Sequence, residues 1–236
     1  MIKNAPWPVT VETDDRQRSA LDPAECDARL LVLSTHNADK GQAADKDVEI
    51  RLAMMQAVAQ HLNELGSASS SSPAPPFNVA VACADASTFA AKSHILKQQL
   101  NEMPHTSGCF FQWASNMSEA TGWDTIIRFF APRYYTDPER PINRVMDDFF
   151  NRDGSFLACA RRGDVSEQQE LEFLASDHVR PWRDRIVLFE LAAQDAKDVS
   201  STRIRQAVKQ GQKRELEQLV PVEQVRRIID REGLYR

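Results

Sequence analysis

Five short apolar runs set what this chain can fold into. They are Leu30-Leu31-Val32-Leu33-Ser34, Val79-Ala80-Val81-Ala82-Cys83, Cys109-Phe110-Phe111-Gln112-Trp113, residues 155–160 and Ile186-Val187-Leu188-Phe189-Glu190-Leu191. Their apolarity is continuous rather than alternating, which is the pattern of strands covered on both faces. Between them lie stretches with helical spacing. Residues 50–65 repeat apolar side chains at Ile50, Met54, Ala57, Val58 and Leu62. Further helices are predicted near 87–100, at 125–130 up to the stop at Pro132, and at 142–150, 168–175, 202–209 and 222–231. Strands alternating with helices predict an α/β fold, a Rossmann-like parallel sheet with helices on both faces. Such sheets bind ligands beyond the carboxyl ends of their strands, so the polar residues after each run are the ones to inspect.

Composition narrows the partners. With 236 residues, 42% of them hydrophobic, the chain is long enough to bury one α/β core. The division predicted is a poorly ordered polar tail over 1–27 and one domain over 28–236. Within that domain the low-complexity stretch 66–76, GSASSSSPAPP, reads as an exposed loop. A formal net charge of -5 and a pI near 5.6 disfavour a general nucleic-acid partner, while leaving room for a local basic pocket. There is no apolar run of the roughly 20 residues that span a bilayer, and residues 1–19 hold no apolar signal core. The expectation is a cytoplasmic or nuclear protein without a membrane partner. Cys26, Cys83, Cys109 and Cys159 form no C-x-x-C pair. Cys83 and Cys159 fall in strand runs and read as reduced core residues, with no zinc site.

The chemistry concentrates after the fifth run, at Val199-Ser200-Ser201-Thr202-Arg203-Ile204-Arg205. Three hydroxyls in a row stand before a helical pattern at Ile204, Ala207 and Val208. Ser and Thr cap helices because their oxygens accept from the first free amides. Those free N–H groups and the positive dipole end also make an anion site. Arg205, one turn in, adds a charged fork. A plain capped helix with solvated arginines accounts for the same residues, and the two readings stand level on physics alone.

The segment resembles the I-S-S-T-x-x-R signature of nucleotidyltransferase-superfamily adenylyltransferases, with Val199 in place of Ile. Other stretches agree in order along the chain. Asn37-Ala38-Asp39-Lys40, followed by Arg51 and Met54-Met55, resembles the N-A-D-K segment and helix of fungal nicotinamide mononucleotide adenylyltransferases. Gly122-Trp123-Asp124 resembles their G-x-D loop, and Phe129 to Tyr134 their F-x-x-P-x-[WY] helix end. Arg161-Arg162-Gly163 resembles an R-x-G turn, and residues 219–235 the closing helix. The resemblance covers roughly residues 28–236. It implies a nucleotidyltransferase-type fold and transfer of AMP from ATP to nicotinamide mononucleotide, giving a dinucleotide and pyrophosphate. It implies that Ser200, Ser201, Thr202, Arg205, Asp124 and Gly122 bind ATP, with Arg205 and Thr202 catalytic. Asn37, Asp39, Lys40 and Trp123 are implied for the mononucleotide. Mg²⁺ would arrive with ATP rather than in a protein cage. Four of these residues have a second reading: Asp39 and Lys40 as a solvated turn, which is favoured without the resemblance, Asp124 as a helix cap, and Trp123 as a core aromatic.

One family element has no counterpart. The phosphate-binding loop S-F-N-P-P-T-x-x-H should precede the N-A-D-K region, yet residues 1–29 contain no histidine. The five histidines, His36, His61, His94, His105 and His178, form no H-x-G-H or H-x-x-H pair. Gln17 to Leu21 reads as a remnant of a first helix. The expectation is a sheet lacking its first strand, an open edge beside 30–34, and little or no turnover by this chain, whether truncated or diverged. The loop supplies about half the phosphate cradle, and donors of this type are each worth about 10²–10³ in rate. A non-catalytic nucleotide-binding relative is therefore the second reading. A helical interaction protein using the charged stretch 210–231 is the third, against the simpler view of a solvated helix face.

Overall fold

The computed structural model describes residues 29–37, 41–42, 44–68, 78–101, 112–114, 122–160, 165–189 and 201–236. The chain runs β1 (Arg29–Ser34), β2 (His36–Asn37), β3 (Gly41–Gln42), α1 (Asp45–Ala68), β4 (Val79–Ala84), α2 (Phe89–Asn101), β5 (Gln112–Ala114) and α3 (Gly122–Phe129). It continues through α4 (Ile142–Asp147), β6 (Phe156–Ala160), α5 (Glu167–Ala175), β7 (Ile186–Phe189), α6 (Ser201–Lys209), α7 (Lys213–Leu219) and α8 (Glu223–Arg231). The protein is mixed α/β, and its described residues divide into two compact units. One holds those within 29–85 and 201–236, the other those within 86–189. The tail 1–27, Asp39, Lys40, Arg161 to Asp164 and Ser200 lie outside the described residues.

In the first unit β1 and β4 pair in parallel, in register from Arg29 with Val79 to Ser34 with Ala84. A parallel pair needs a crossover, and α1 supplies it. The predicted stripe works on two sides. Val58, Ala59 and Leu62 pack on Leu31, Val79 and Val81. Met54, Ala57 and Val58 pack on the cluster built by Ala207, Leu219, Val220, Val222, Val225 and Ile229, from the last three helices and the turn between α7 and α8. At the start of β4 the Asn63 side chain donates to Val79 O (3.0 Å) and accepts from Val79 N–H (2.8 Å). It stands where a neighbouring strand's peptide would on that edge.

In the second unit β5, β6 and β7 form a parallel sheet in chain order. Its core is aromatic. Phe129 lies 5.0 Å from both Phe130 and Phe149, and Phe150 stacks on Trp182 at 5.6 Å. Phe149 and Phe150 are adjacent in sequence, so an ideal helix would aim them about 100° apart. After α4 the chain adopts a π turn over Asp148–Arg152, and both rings are fully buried. Ser166 and Gln169 start α5 with a capping box, Ser166 N–H donating to Gln169 Oε1 at 2.9 Å.

Several expectations are corrected. Instead of one sheet, the described strands form two parallel sheets, β1-β4 and β5-β6-β7, with an added hairpin where β2 pairs antiparallel with β3. β1 has β4 as its sole strand partner among the described residues. β4 is not buried on both faces: Ala80 and Cys83 are exposed, and the free thiol of Cys83 is not a core group. The apolar residues of α1 that meet β4 stop at Val79 and Val81, and Cys83 lies two residues beyond them. Helix α1 also extends to Ala68, taking in the first residues of the stretch read as a loop. Gly122-Trp123-Asp124 opens helix α3 rather than forming a loop before it. Among the described residues no helix is long and apolar enough to cross a membrane.

Phe150→Ala should cost about 3–5 kcal/mol, the range for emptying a buried aromatic site, read by urea denaturation of the full chain. Native-state titration with a thiol reagent should lose one reactive equivalent in Cys83→Ala. An unchanged count would mean that Cys83 is covered.

Candidate functional site

The first unit carries two groups of candidate polar residues, one at the start of α6 and one at the carboxyl ends of β1 and β4. Helix α6 begins at Ser201, and Ser201, Thr202 and Arg205 are all exposed. Their exposure follows from the helix's apolar side, since Ile204, Ala207 and Val208 join the cluster formed with α7 and α8. Ser201 and Arg205 are four residues apart and so share a face one turn apart. Gly211, with φ 66°, closes the helix in the left-handed conformation that glycine adopts without strain. The Gln212 N–H returns to Ala207 O at 2.9 Å.

The two arginines of the first turns differ. Arg203 donates to Glu215 Oε1 on α7 at 3.0 Å, so its charge is already neutralised. Arg205 has no carboxylate partner among the described residues. Its guanidinium sits over the Tyr235 ring, 5.8 Å from the centroid. A cation packed on an aromatic face keeps its charge and donors available to an anion.

At the strand ends, the Thr35 hydroxyl donates to Asp85 Oδ1 at 2.8 Å. Thr35 N–H also extends the ladder to Ala84 O at 3.1 Å. Both side chains belong to the edge where parallel sheets take ligands. Asp85 was missed from sequence. The signal for it was its place directly after the second apolar run, the same criterion that picked out residues 34–40. Asn37 lies in β2 of this unit.

Gly122, Trp123 and Asp124 fall in the second unit, in the first turn of α3. Trp123 is buried, 7% exposed, with its ring edge-on to Phe173 at 5.1 Å, which is the core-aromatic alternative for that residue. Tyr135, just past the Pro132–Tyr134 turn, donates its hydroxyl to Phe129 O at 2.6 Å. Burial pushes its phenol well above the usual range. It acts as a tie that holds the end of α3. Among the described residues no group of three or more His, Cys, Asp or Glu side chains could hold a metal ion. No known protein family and no curated protein matches the chain.

Thr35→Val should sever the link between the ends of β1 and β4 and cost about 0.5–1.5 kcal/mol, since the bond is exposed. Equilibrium unfolding of the full chain would test this. No loss of stability would mean that the hydrogen bond contributes nothing.

Proposed function

We propose that this chain is an adenine-nucleotide-binding protein of the nucleotidyltransferase type. In the reading preferred here it serves adenylyl transfer from ATP to nicotinamide mononucleotide. The observation that carries the reading is the opening of α6, over its first two turns. Ser201, Thr202 and Arg205 are exposed together there, and Arg205 is left without a carboxylate partner among the described residues. Free amides, two hydroxyls and a guanidinium are the donors a triphosphate needs.

In this reading ATP is bound with Mg²⁺, which neutralises part of the triphosphate charge. Thr202 and the helix amides hold phosphate oxygens. Arg205 stabilises negative charge as the mononucleotide phosphate attacks the α-phosphorus and pyrophosphate departs. The acceptor phosphate is itself the nucleophile, so the protein positions and neutralises and forms no covalent intermediate. Ser200 on the ATP side, with Asn37, Asp39 and Lys40 on the mononucleotide side, complete the set that the family resemblance draws within the first unit; Gly122, Trp123 and Asp124 belong to the second unit, where Trp123 is a core aromatic. A second reading, nucleotide binding without transfer, is favoured by one sequence fact: the five histidines include no phosphate-binding pair.

Isothermal titration with MgATP, alongside chromatographic detection of dinucleotide in the presence of both substrates, tests both readings. We expect MgATP binding, with dinucleotide formed slowly on the first reading and not at all on the second. Arg205→Ala should weaken that binding by about 1.5–3 kcal/mol, the worth of one charge-assisted hydrogen bond. Robust turnover would overturn the second reading, and absence of any MgATP binding would overturn both.

A further inference from the structure

We infer that Tyr235 is a positioning residue for Arg205, so that the last four residues of the chain set where the anion-binding guanidinium stands. The inference rests on the nucleotide reading of the α6 end. Four observations on the tail lead to it. Helix α8 ends in a reversal at Gly233, φ 61°, where Gly233 N–H donates to Asp230 O and Leu234 N–H to Ile229 O at 3.0 Å. Leu234 then packs on the hydrophobic cluster that also receives Ile204 and Val208 of α6. Arg236 folds back on α8, donating to Asp230 O at 3.2 Å with its guanidinium 3.7 Å from the Asp230 carboxylate. Tyr235, pinned between these two anchors, is the non-glycine residue with a positive φ, 65°, among the described residues.

That conformation is costly for a bulky side chain and persists where the surroundings over-determine it. Here the surroundings present one face of the Tyr235 ring to Arg205. Tyr235 is 38% exposed, so burial of the residue does not account for its being held there. An exposed arginine otherwise samples many rotamers and loses that freedom on binding an anion. A ring beneath its guanidinium removes part of that cost beforehand and leaves the N–H fork free at its edges. Glu215 places Arg203 by an ion pair that cancels its charge, whereas Tyr235 places Arg205 without cancelling it.

The test uses the full chain and the variants Tyr235→Phe and Tyr235→Leu, alone and with Arg205→Ala, with circular dichroism to verify folding. In NMR spectra the Arg205 side-chain protons, assigned by their loss in Arg205→Ala, should carry an upfield ring-current shift. Tyr235→Phe should keep that shift and Tyr235→Leu abolish it. MgATP titration should show binding weakened about 2- to 5-fold by Tyr235→Leu, restored by Tyr235→Phe, and unaffected by Tyr235→Leu once Arg205 is Ala. Arg205 resonances that ignore Tyr235→Leu, or wild-type MgATP affinity in that variant, would overturn the positioning role alone. Failure of the wild-type chain to bind MgATP while the ring-current shift is present would overturn the nucleotide reading, and with it the role assigned to Tyr235. If Tyr235→Leu does not fold, Tyr235→Phe against Tyr235→Met decides on the same two measurements.

Discussion

The first unit depends on α1 being buried along two sides at once. Val58 belongs to both contacts, meeting the strands β1 and β4 on one side and the cluster of α6, α7 and α8 on the other. Two parallel strands with one crossover helix leave their remaining surface to solvent, which is why Ala80 and Cys83 are exposed. The unit compensates by adding the chain's last three helices to the far side of α1. Residues 150 positions apart in sequence thereby share one core, and the candidate anion site is built on that shared core. Ile204 and Val208 point one side of α6 into it, and the geometry of a helix then forces Ser201 and Arg205 outward.

A helix N-terminus with hydroxyls is common and by itself says little about function. What separates this one from a plain cap is the disposition of charge around it. Arg203, one residue past Thr202, is held by Glu215. Arg205 is held by a ring instead. Pairing costs an arginine its ability to attract a second anion, while an aromatic face does not. The two neighbours thus divide the work. Arg203 ties α6 to α7, and Arg205, without a carboxylate partner among the described residues, keeps its own positive charge in a chain that is acidic as a whole. A localised positive site on an acidic molecule suits a small phosphate-bearing ligand better than a nucleic-acid backbone, which needs many such charges along a surface.

Much of the fold was legible because periodicity records burial. The residues 50, 54, 57, 58 and 62 were read as one helix stripe, and α1 uses Met54, Ala57, Val58 and Leu62 in its two contacts. The apolar runs were legible for the same reason, and the described strands that fall on them pair in parallel. Boundaries were less legible. Asp45-Lys46-Asp47 and Gly66-Ser67-Ala68 have the composition of loops, yet α1 runs through them. Once a helix is nucleated by packing, adding a turn costs little. Gly122 read as loop for a similar reason, and one glycine in a first turn costs only about 1 kcal/mol. Sheet partnership was not legible, because a run of apolar residues shows that a strand is covered and not which strand lies beside it. The π turn at Asp148–Arg152 arises from a local conflict between two consecutive phenylalanines and one core, which no helical period encodes. Of the site, the α6 end was found through its hydroxyl run. Asp85 and Tyr235 were not, because their significance depends on partners 50 and 30 positions away in sequence.

The placement of Tyr235 links these two levels. The closing segment Gly233-Leu234-Tyr235-Arg236 carries one apolar residue that enters the shared core, one ring that stays outside it, and one charge that returns to α8. Each side chain satisfies an ordinary demand, namely burial, solvation or pairing. Between these contacts the backbone at Tyr235 runs through the left-handed region. A tail free to relax would give up that conformation for a cheaper one. That it is kept means that the anchors on either side, Leu234 in the core and Arg236 on Asp230, are jointly worth more than the strain of about 1–3 kcal/mol. The same packing that folds the last helices against α1 therefore also fixes the ring beneath Arg205. The core thus reaches the candidate site through the tail as well as through α6.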